Sequence, residues 1–269
     1  MIDLAHGPHL MGIINVTPDS FSDGGQFIDP KRAIEHGMLL VSEGAAILDI
    51  GGESTRPGSE TVSVDEEITR VIPVIEGLKN CGAVISVDTR NAATMTAAVK
   101  AGATMVNDVT ALTHDPKSLS VVAGLGINVC LMHMQGDPKT MQVAPHYENV
   151  VEEVYAYLSA RIDACRAAGV AQDKIIVDPG IGFGKNLDHN LKLLQNLDKL
   201  QSFGVAVLLG VSRKSFISKI MNSNAPDDRL AGSLAAALWG LQQGVQIFRV
   251  HDVAETKQAF AVLQSIQTR

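Results

Sequence analysis

The sequence is short of cysteine, of basic charge and of long apolar runs, and each shortage excludes a class of protein. Cys81, Cys130 and Cys165 are its only cysteines, and no two have CxxC spacing. That leaves no disulfide framework and no cysteine zinc site, and it fits a reducing compartment. The apolar stretch 10–16 is far below the roughly 20 residues that cross a bilayer. The first residues lack the basic start and small-residue cleavage site of a signal peptide. A cytoplasmic, non-membrane protein is expected. Lys and Arg number 22 against 29 Asp and Glu, a formal charge of −7, which argues against broad nucleic-acid or membrane-surface binding. An anionic substrate would need a local cationic site.

What is present is aliphatic. Hydrophobic residues make up 46% of the chain, enough to bury a core and to exclude disorder as its description. Short apolar runs alternate with longer amphipathic ones, the pattern of βα units around a parallel sheet. The spacing predicts strands over 10–15, 46–50, 84–87, 105–107, 128–132, 175–178, 206–210 and 246–250. It predicts helices over 31–43, 65–78, 92–101, 147–168, 187–200, 229–242 and 254–267, with 116–123 a shorter one. Several end near a glycine able to turn left-handed: Gly44, Gly102, Gly124, Gly169 and Gly244. About eight such units close a TIM (β/α)8 barrel, here one domain spanning 1–269. An open doubly wound sheet is the alternative, and the missing glycine fingerprint after the first strand counts against it. The connections 17–29 and 51–64 are long, polar and follow strands, so they read as lids on the face where barrel active sites form.

Nearly every predicted strand ends in a polar residue: Asn15, Asp88, Asn107 with Asp108, His133, Asp178, Ser212-Arg213-Lys214-Ser215, and Arg249 with His251 and Asp252. One such residue is explained by helix capping, which suits Asp252 and Asp65. A ring of them on consecutive strands is a site. Asp88 and Asp178 emerge from apolar strands, where a lone carboxylate is costly. Each could accept two parallel donors, such as the N–H edge of a 2-aminopyrimidinone ring, with Asn107 adding to the same edge. The alternative for each Asp is an ion pair with a barrel Arg or Lys. Arg249 and His251, two apart, can face the same side of the strand. With Arg56, Arg213 and Lys214 they are the cations that a diphosphate requires. Asn15 could hold a hydrated Mg²⁺, which needs few protein ligands.

Other motifs fail. Residues 180–185 (GIGFGK) resemble a phosphate loop, but Pro179 and Asn186 occupy the positions where Walker A needs Gly and Ser or Thr, and Lys185 replaces the last Gly of a dinucleotide fingerprint. These glycines instead suit a loop passing close to a flat ligand, with Phe183 stacking on it. His6 and His9 have no metal-ligand partners and read as an ordinary tail. His133, between Met132 and Met134, reads as structural.

Residues 11–25 (MGIINVTPDSFSDGG) and 48–58 (LDIGGESTRPG) resemble the two signature segments of the bacterial dihydropteroate synthases. Segments 86–89 (SVDT), 107–109 (NDV), 131–134 (LMHM), 178–184 (DPGIGFG), 210–216 (GVSRKSF), 229–233 (RLAGS) and 249–253 (RVHDV) match in order, so the likeness runs through essentially the whole chain. The resemblance implies a (β/α)8 barrel that joins 6-hydroxymethyl-7,8-dihydropterin diphosphate to p-aminobenzoate in folate biosynthesis. It implies pterin binding by Asp88, Asn107, Asp178 and Lys214, and diphosphate and Mg²⁺ binding by Asn15, Arg249 and His251. The p-aminobenzoate pocket falls on Thr55, Arg56, Pro57 and Ser215, with Phe183 beside it, and Asp19, Phe21 and Asp23 lie on the first lid. Asp88, Lys214, Arg249 and His251 are then the catalytic group. The family is the target of sulfonamides, and analogy with it suggests a homodimer through outer helices. Arg90 has no assigned role. Two rivals are a pterin-dependent methyltransferase barrel, which needs neither the Arg249/His251 pair nor the 55–57 loop, and a non-catalytic pterin-binding homologue, which should have lost lid residues such as Asp23 and Arg56.

Overall fold

The computed structural model describes residues 3–17, 29–54, 61–137, 140–221 and 229–268. Eight parallel strands form a closed barrel: β1 (His9–Asn15), β2 (Ile47–Gly51), β3 (Val84–Asp88), β4 (Met105–Asp108), β5 (Asn128–Met132), β6 (Ile175–Asp178), β7 (Ala206–Leu209) and β8 (Ile247–Val250). Pairing of β8 with β1 closes the circle and excludes the open sheet. Strands β2, β6 and β7 are buried at every residue, as expected of parallel strands covered on both faces.

The helices are α1 (Pro30–Glu43), α2 (Val64–Leu78), α3 (Ala92–Ala101), α4 (Ser118–Leu125), α5 (Val150–Ala167), α6 (Leu187–Gln195), α7 (Ser215–Met221), α8 (Leu230–Gln242) and α9 (Val253–Gln267). Local chemistry sets their ends. Asn149 caps α5 by accepting from the N–H groups of Val151 and Glu152, so the helix starts later than the periodicity of 147–168 predicts. Ser63, not Asp65, caps α2. Asp252 precedes α9 without a side-chain capping bond, because its carboxylate takes the Arg213 guanidinium instead. The predicted helix 187–200 stops at Gln195: the Asn196 amide donates to the Lys192 carbonyl, 2.8 Å away, and a 3-10 turn, Leu197–Phe203, follows. Gly126, rather than Gly124, ends α4 in the left-handed conformation.

The apolar core has two parts. The larger lies between strands and helices. The smaller fills the barrel itself with Met11, Ile47, Met105, Cys130, Ile176, Leu208 and Ile247, and Leu4 lies against it from the N-terminal segment. Strand register then layers the polar end. Asn15 pairs with Gly51, Gly51 with Asp88, and Asp88 with Asn107, all at the C-terminal rim. Asp49 pairs with Ser86 two residues further in, about 7 Å deeper at the usual rise per residue. No helix among the described residues is long and apolar enough to cross a membrane.

Candidate active site

The centre of the rim is an ionic lattice joining residues of four strands, β2, β3, β4 and β8. Arg249 of β8 donates from Nε to Asp49 Oδ2 at 2.6 Å and from Nη2 to Asp88 Oδ2 at 2.9 Å. Asp49 is fully buried, and also accepts from Ser86 Oγ at 2.7 Å and Asn107 Nδ2 at 3.0 Å. A buried carboxylate is tolerable with this many donors and a guanidinium beside it. Burial, then the nearby Asp49 charge, pushes the Asp88 carboxyl up to about 7, although Arg249 opposes the shift. Burial disfavours the Arg249 charge, but the Asp49 and Asp88 carboxylates outweigh it and hold the guanidinium charged. Arg249 thus takes the ion-pair alternative considered for Asp88, and does so in the same place as the proposed ligands.

Asp178 ends β6 on the adjoining wall. Its Oδ1 accepts from the Gly180 N–H at 2.7 Å, while burial pushes its carboxyl up to about 6 against the pull of that N–H and of Lys214. Lys214 lies just before α7, where burial and then the Arg249 charge bring its ammonium down to about 8. Its Nζ stands 4.0 Å from the centroid of the Phe183 ring, a cation–π distance. The lysine of the 180–185 loop does not reach out as a phosphate-binding lysine would: Lys185 is buried and turned inward.

On the β7–β8 side, Ser212 Oγ lies 3.0 Å from His251 Nδ1 and accepts from the His251 N–H at 3.2 Å, which fixes the imidazole just beyond the end of β8. Arg249 therefore points across the barrel while His251 is tied to its rim. Asn15 is half-buried at the end of β1, and its side chain makes no hydrogen bond with another described residue. Ser215 is exposed at the start of α7. Arg213 faces away from the ring: its side chain is 55% exposed and pairs with Asp252, Nε to Oδ2 at 3.1 Å. Asp19, Phe21, Asp23, Thr55, Arg56 and Pro57 lie outside the described residues.

Two contributors escaped the sequence reading. Asp49 is a carboxylate inside an aliphatic strand, ILDIG, and the cost of such a charge was the signal that could have found it. Lys185 is the other. Arg90, which had no role, donates to Glu53 from Nε at 3.2 Å and from Nη2 at 2.9 Å, at the start of the second lid. Among the described residues no group of three or more His, Cys, Asp or Glu is placed to hold a metal. That donor set does not suit a resident, fully protein-bound ion. It does suit a Mg²⁺ that brings most of its oxygen ligands with a diphosphate, because Asn15 offers an uncommitted amide oxygen near Arg249's strand.

A closed barrel with carboxylates, an amide and two cations converging at its C-terminal mouth is the architecture of a barrel enzyme for a flat, hydrogen-bonding, anionic substrate. A family model described as "Pterin binding enzyme" matches residues 11–251. The chain is 49% identical to the dihydropteroate synthase of Escherichia coli K12 over 265 residues, covering 98% of this chain and 93% of the relative. A Xanthomonas albilineans dihydropteroate synthase solved with 4-aminobenzoic acid superposes with a TM-score of 0.92 at 49% identity, covering 98% of this chain and 95% of that one. The Xanthomonas albilineans enzyme in complex with 7,8-dihydropteroate superposes with a TM-score of 0.89 at 46% identity, with the same coverage. The chain belongs to the dihydropteroate synthases, within the pterin-binding enzymes.

Proposed function

We propose that the chain is a transferase that joins the CH₂ of 6-hydroxymethyl-7,8-dihydropterin diphosphate to the amino nitrogen of p-aminobenzoate, releasing diphosphate, in folate biosynthesis. The observation that carries the reading is the double engagement of Arg249 with Asp49 and Asp88, which links a ring-binding carboxylate to a cation suited to a leaving diphosphate.

Asp88, Asn107, Asp178 and Lys214 bind the pterin. Their support is the placement of Asp88, Asn107 and Asp178 at the C-terminal ends of β3, β4 and β6, with Asn107 and Asp178 buried. Asn15, Arg249 and His251 bind the diphosphate. The C–O bond breaks with its electron pair going to diphosphate, and the electron-rich ring delocalises the positive charge left on the CH₂. Asp88 and Asp178 stabilise that cation, while Arg249 and His251 stabilise the charge on the leaving group. The aniline nitrogen, neutral near pH 7, then forms the C–N bond and releases its proton to solvent. No strong general base is required, and positioning and charge are the main catalytic factors. Asn15 would be the protein ligand of a Mg²⁺ arriving with the diphosphate, which would supply charge neutralisation at the diphosphate oxygens.

Thr55, Arg56 and Pro57, with Phe183 and Ser215, receive p-aminobenzoate, and Asp19, Phe21 and Asp23 belong to the lid above; the support here is the sequence resemblance. The chain works as one domain in the cytoplasm, in keeping with its three free cysteines. It forms a homodimer through its outer helices, where Trp239 of α8 and Val262 and Ile266 of α9 leave apolar surface exposed. Light scattering of the purified protein reads that state directly.

The functional test is diphosphate release from the pterin diphosphate, with and without p-aminobenzoate. Release that depends on p-aminobenzoate and yields dihydropteroate is expected. Background release under both conditions would sink the reading.

A further inference from the structure

Lys185 ranks first by volume among the fully buried side chains, at 1% exposure, and the mechanism above gives it no task. We propose that Lys185 is a positioning residue for the pterin site: its ammonium ties the 180–184 loop to the end of β5 and so holds Asp178 against the pterin ring, with Phe183 beside the p-aminobenzoate pocket.

The geometry is specific. Nζ lies 3.0 Å from His133 Nδ1, 2.9 Å from the carbonyl oxygens of Gly180 and Phe183, and 3.3 Å from that of His133. Three ammonium donors thus face four acceptors contributed by two segments. The loop is shaped to turn its carbonyls inward, with Gly180, Gly182 and Gly184 at φ of +69°, +85° and +60°. It also lies directly on the β5 end: a Cβ at Gly180 would stand 1.9 Å from the His133 carbonyl oxygen, and one at Gly184 2.5 Å from that of Gln135. Other bonds hold the loop's far side, from Gly182 N–H to Asn190 Oδ1 at 2.7 Å and from the Tyr147 hydroxyl to the Gly184 carbonyl at 2.9 Å. Lys185 is the side chain that reaches the carbonyls of both Gly180 and Phe183, the Gly180 carbonyl also accepting from the Phe183 N–H at 3.1 Å within the loop's own turn. The Gly180 N–H in turn holds the Asp178 carboxylate, and the Phe183 ring lies under Lys214. One buried side chain therefore sets two substrate-facing surfaces, Asp178 and Phe183, without touching substrate.

Its charge matters as well as its bonds. The charged and titratable groups acting on Lys185 are Asp178 and Lys214, with burial bringing its ammonium down to about 7. His133 is pushed down to about 3 by burial and by Lys185, so it stays neutral and accepting. His189, on α6, is also held down, by burial first and by Lys185 among its neighbours. Asp178 feels burial, then the Gly180 N–H, Lys214, Lys185 and Arg249, the three cations all favouring its ionised form. Removing the Lys185 charge raises the pH at which Asp178 ionises. An acceptor carboxylate is what the pterin N–H edge needs, so binding then fails earlier on acidification.

The test rests on the pterin-site reading and is a titration of 6-hydroxymethylpterin binding from pH 5 to 9, by calorimetry, for wild type, Lys185→Met, Lys185→Arg and His133→Leu. Lys185→Met is expected to weaken binding about tenfold or more and to move the acid limb up by about one pH unit. Lys185→Arg keeps a cation, so it restores the limb more fully than the affinity. If Lys185→Met does not fold, His133→Leu, which removes the Nδ1 acceptor and the ring's edge contact with Tyr157 but keeps the other three acceptors of Lys185, is expected to weaken binding in the same direction by a smaller factor. A folded Lys185→Met with wild-type affinity, or weakened with an unmoved acid limb, overturns the proposal. Wild-type protein that binds no pterin at any pH overturns the functional reading instead.

Discussion

The Nε of Arg249 lies 2.6 Å from Oδ2 of Asp49, a carboxylate with no exposed surface. Asp49 is too deep in the barrel to serve the substrate edge directly, and its role is to aim the guanidinium while Asn107 and Ser86 occupy its remaining lone pairs. Asp49→Asn keeps the shape and removes the charge. It leaves Arg249 with Asp88 as its one paired carboxylate, and breaking a buried pair in this way costs about 3–5 kcal/mol of stability. Loss of aim at the leaving group is expected to lower kcat/KM for the pterin diphosphate about 100-fold, close to the loss of one preorganised charge-stabilising donor. Steady-state kinetics beside a thermal melt check both; kinetic constants within threefold of wild type would remove Asp49 from the machinery.

Asp88 and Asp178 are pushed up to about 7 and about 6, and they accept the pterin N–H edge only when ionised. Binding therefore weakens as pH falls through 7 and then 6. Lys214, brought down to about 8, loses its charge as pH rises through that value. The free-enzyme profile of kcat/KM is expected to be bell-shaped with its maximum between those limits. Stability runs the other way on the acid side. Asp178 binds its proton more tightly folded than at its ordinary 3.8, so its contribution to folding is full below pH 3.8 and is lost as pH rises towards 6. Ligand-free melts of wild type and Asp178→Asn across pH 4–7 should converge at the acid end and diverge in favour of the variant above it.

The barrel was legible because buried parallel strands are aliphatic runs, and all eight appear in the sequence within two residues of their ends. What was not legible depends on contacts between distant segments. The short helix α7 begins inside a polar stretch, GVSRKSF, with no periodicity to announce it. The break after Gln195 comes from one asparagine side chain turning back on the helix. At the site, a search for polar strand ends finds Asp88 and Asn107 but passes over Asp49, two residues back and one layer deeper. Lys185 was visible only as a failed phosphate loop, since nothing in GIGFGK says that its lysine folds inward onto the loop's own carbonyls.

Arg213 illustrates the same limit and gives a discriminating variant. Its place between Ser212 and Lys214 suggested a diphosphate ligand, yet its guanidinium spans to Asp252 at the start of α9. Its main chain is held separately, the N–H by Ser233 Oγ at 2.8 Å and the carbonyl by Arg229 Nη1 at 2.9 Å, in the left-handed conformation at φ 57°. Arg213→Ala keeps those backbone bonds and removes an ion pair between a half-exposed arginine and a largely buried Asp252, a contribution of about 1 kcal/mol. KM for the pterin diphosphate is expected to stay within about threefold of wild type. A rise of 100-fold would return Arg213 to the anion site.

Arg90 and Glu53 separate the second substrate from the first. The guanidinium of Arg90 donates twice to the Glu53 carboxylate, both side chains nearly buried, and Arg70 Nη1 donates to the neighbouring Gly52 carbonyl at 2.8 Å. These bonds anchor the chain two residues before Thr55, where the expected p-aminobenzoate pocket begins, and none of them touches Asp88, Asn107 or Asp178. A nearly buried, doubly bonded pair is worth more than a surface one, because loss of one partner leaves a carboxylate without its counter-charge. Arg90→Ala should therefore raise KM for p-aminobenzoate about tenfold or more while the pterin dissociation constant stays near wild type. Measuring the two constants in the same preparation decides the matter. Equal losses in both would mean that Arg90 supports the whole rim, and loss in the pterin constant alone would place its effect on the Asp88 side.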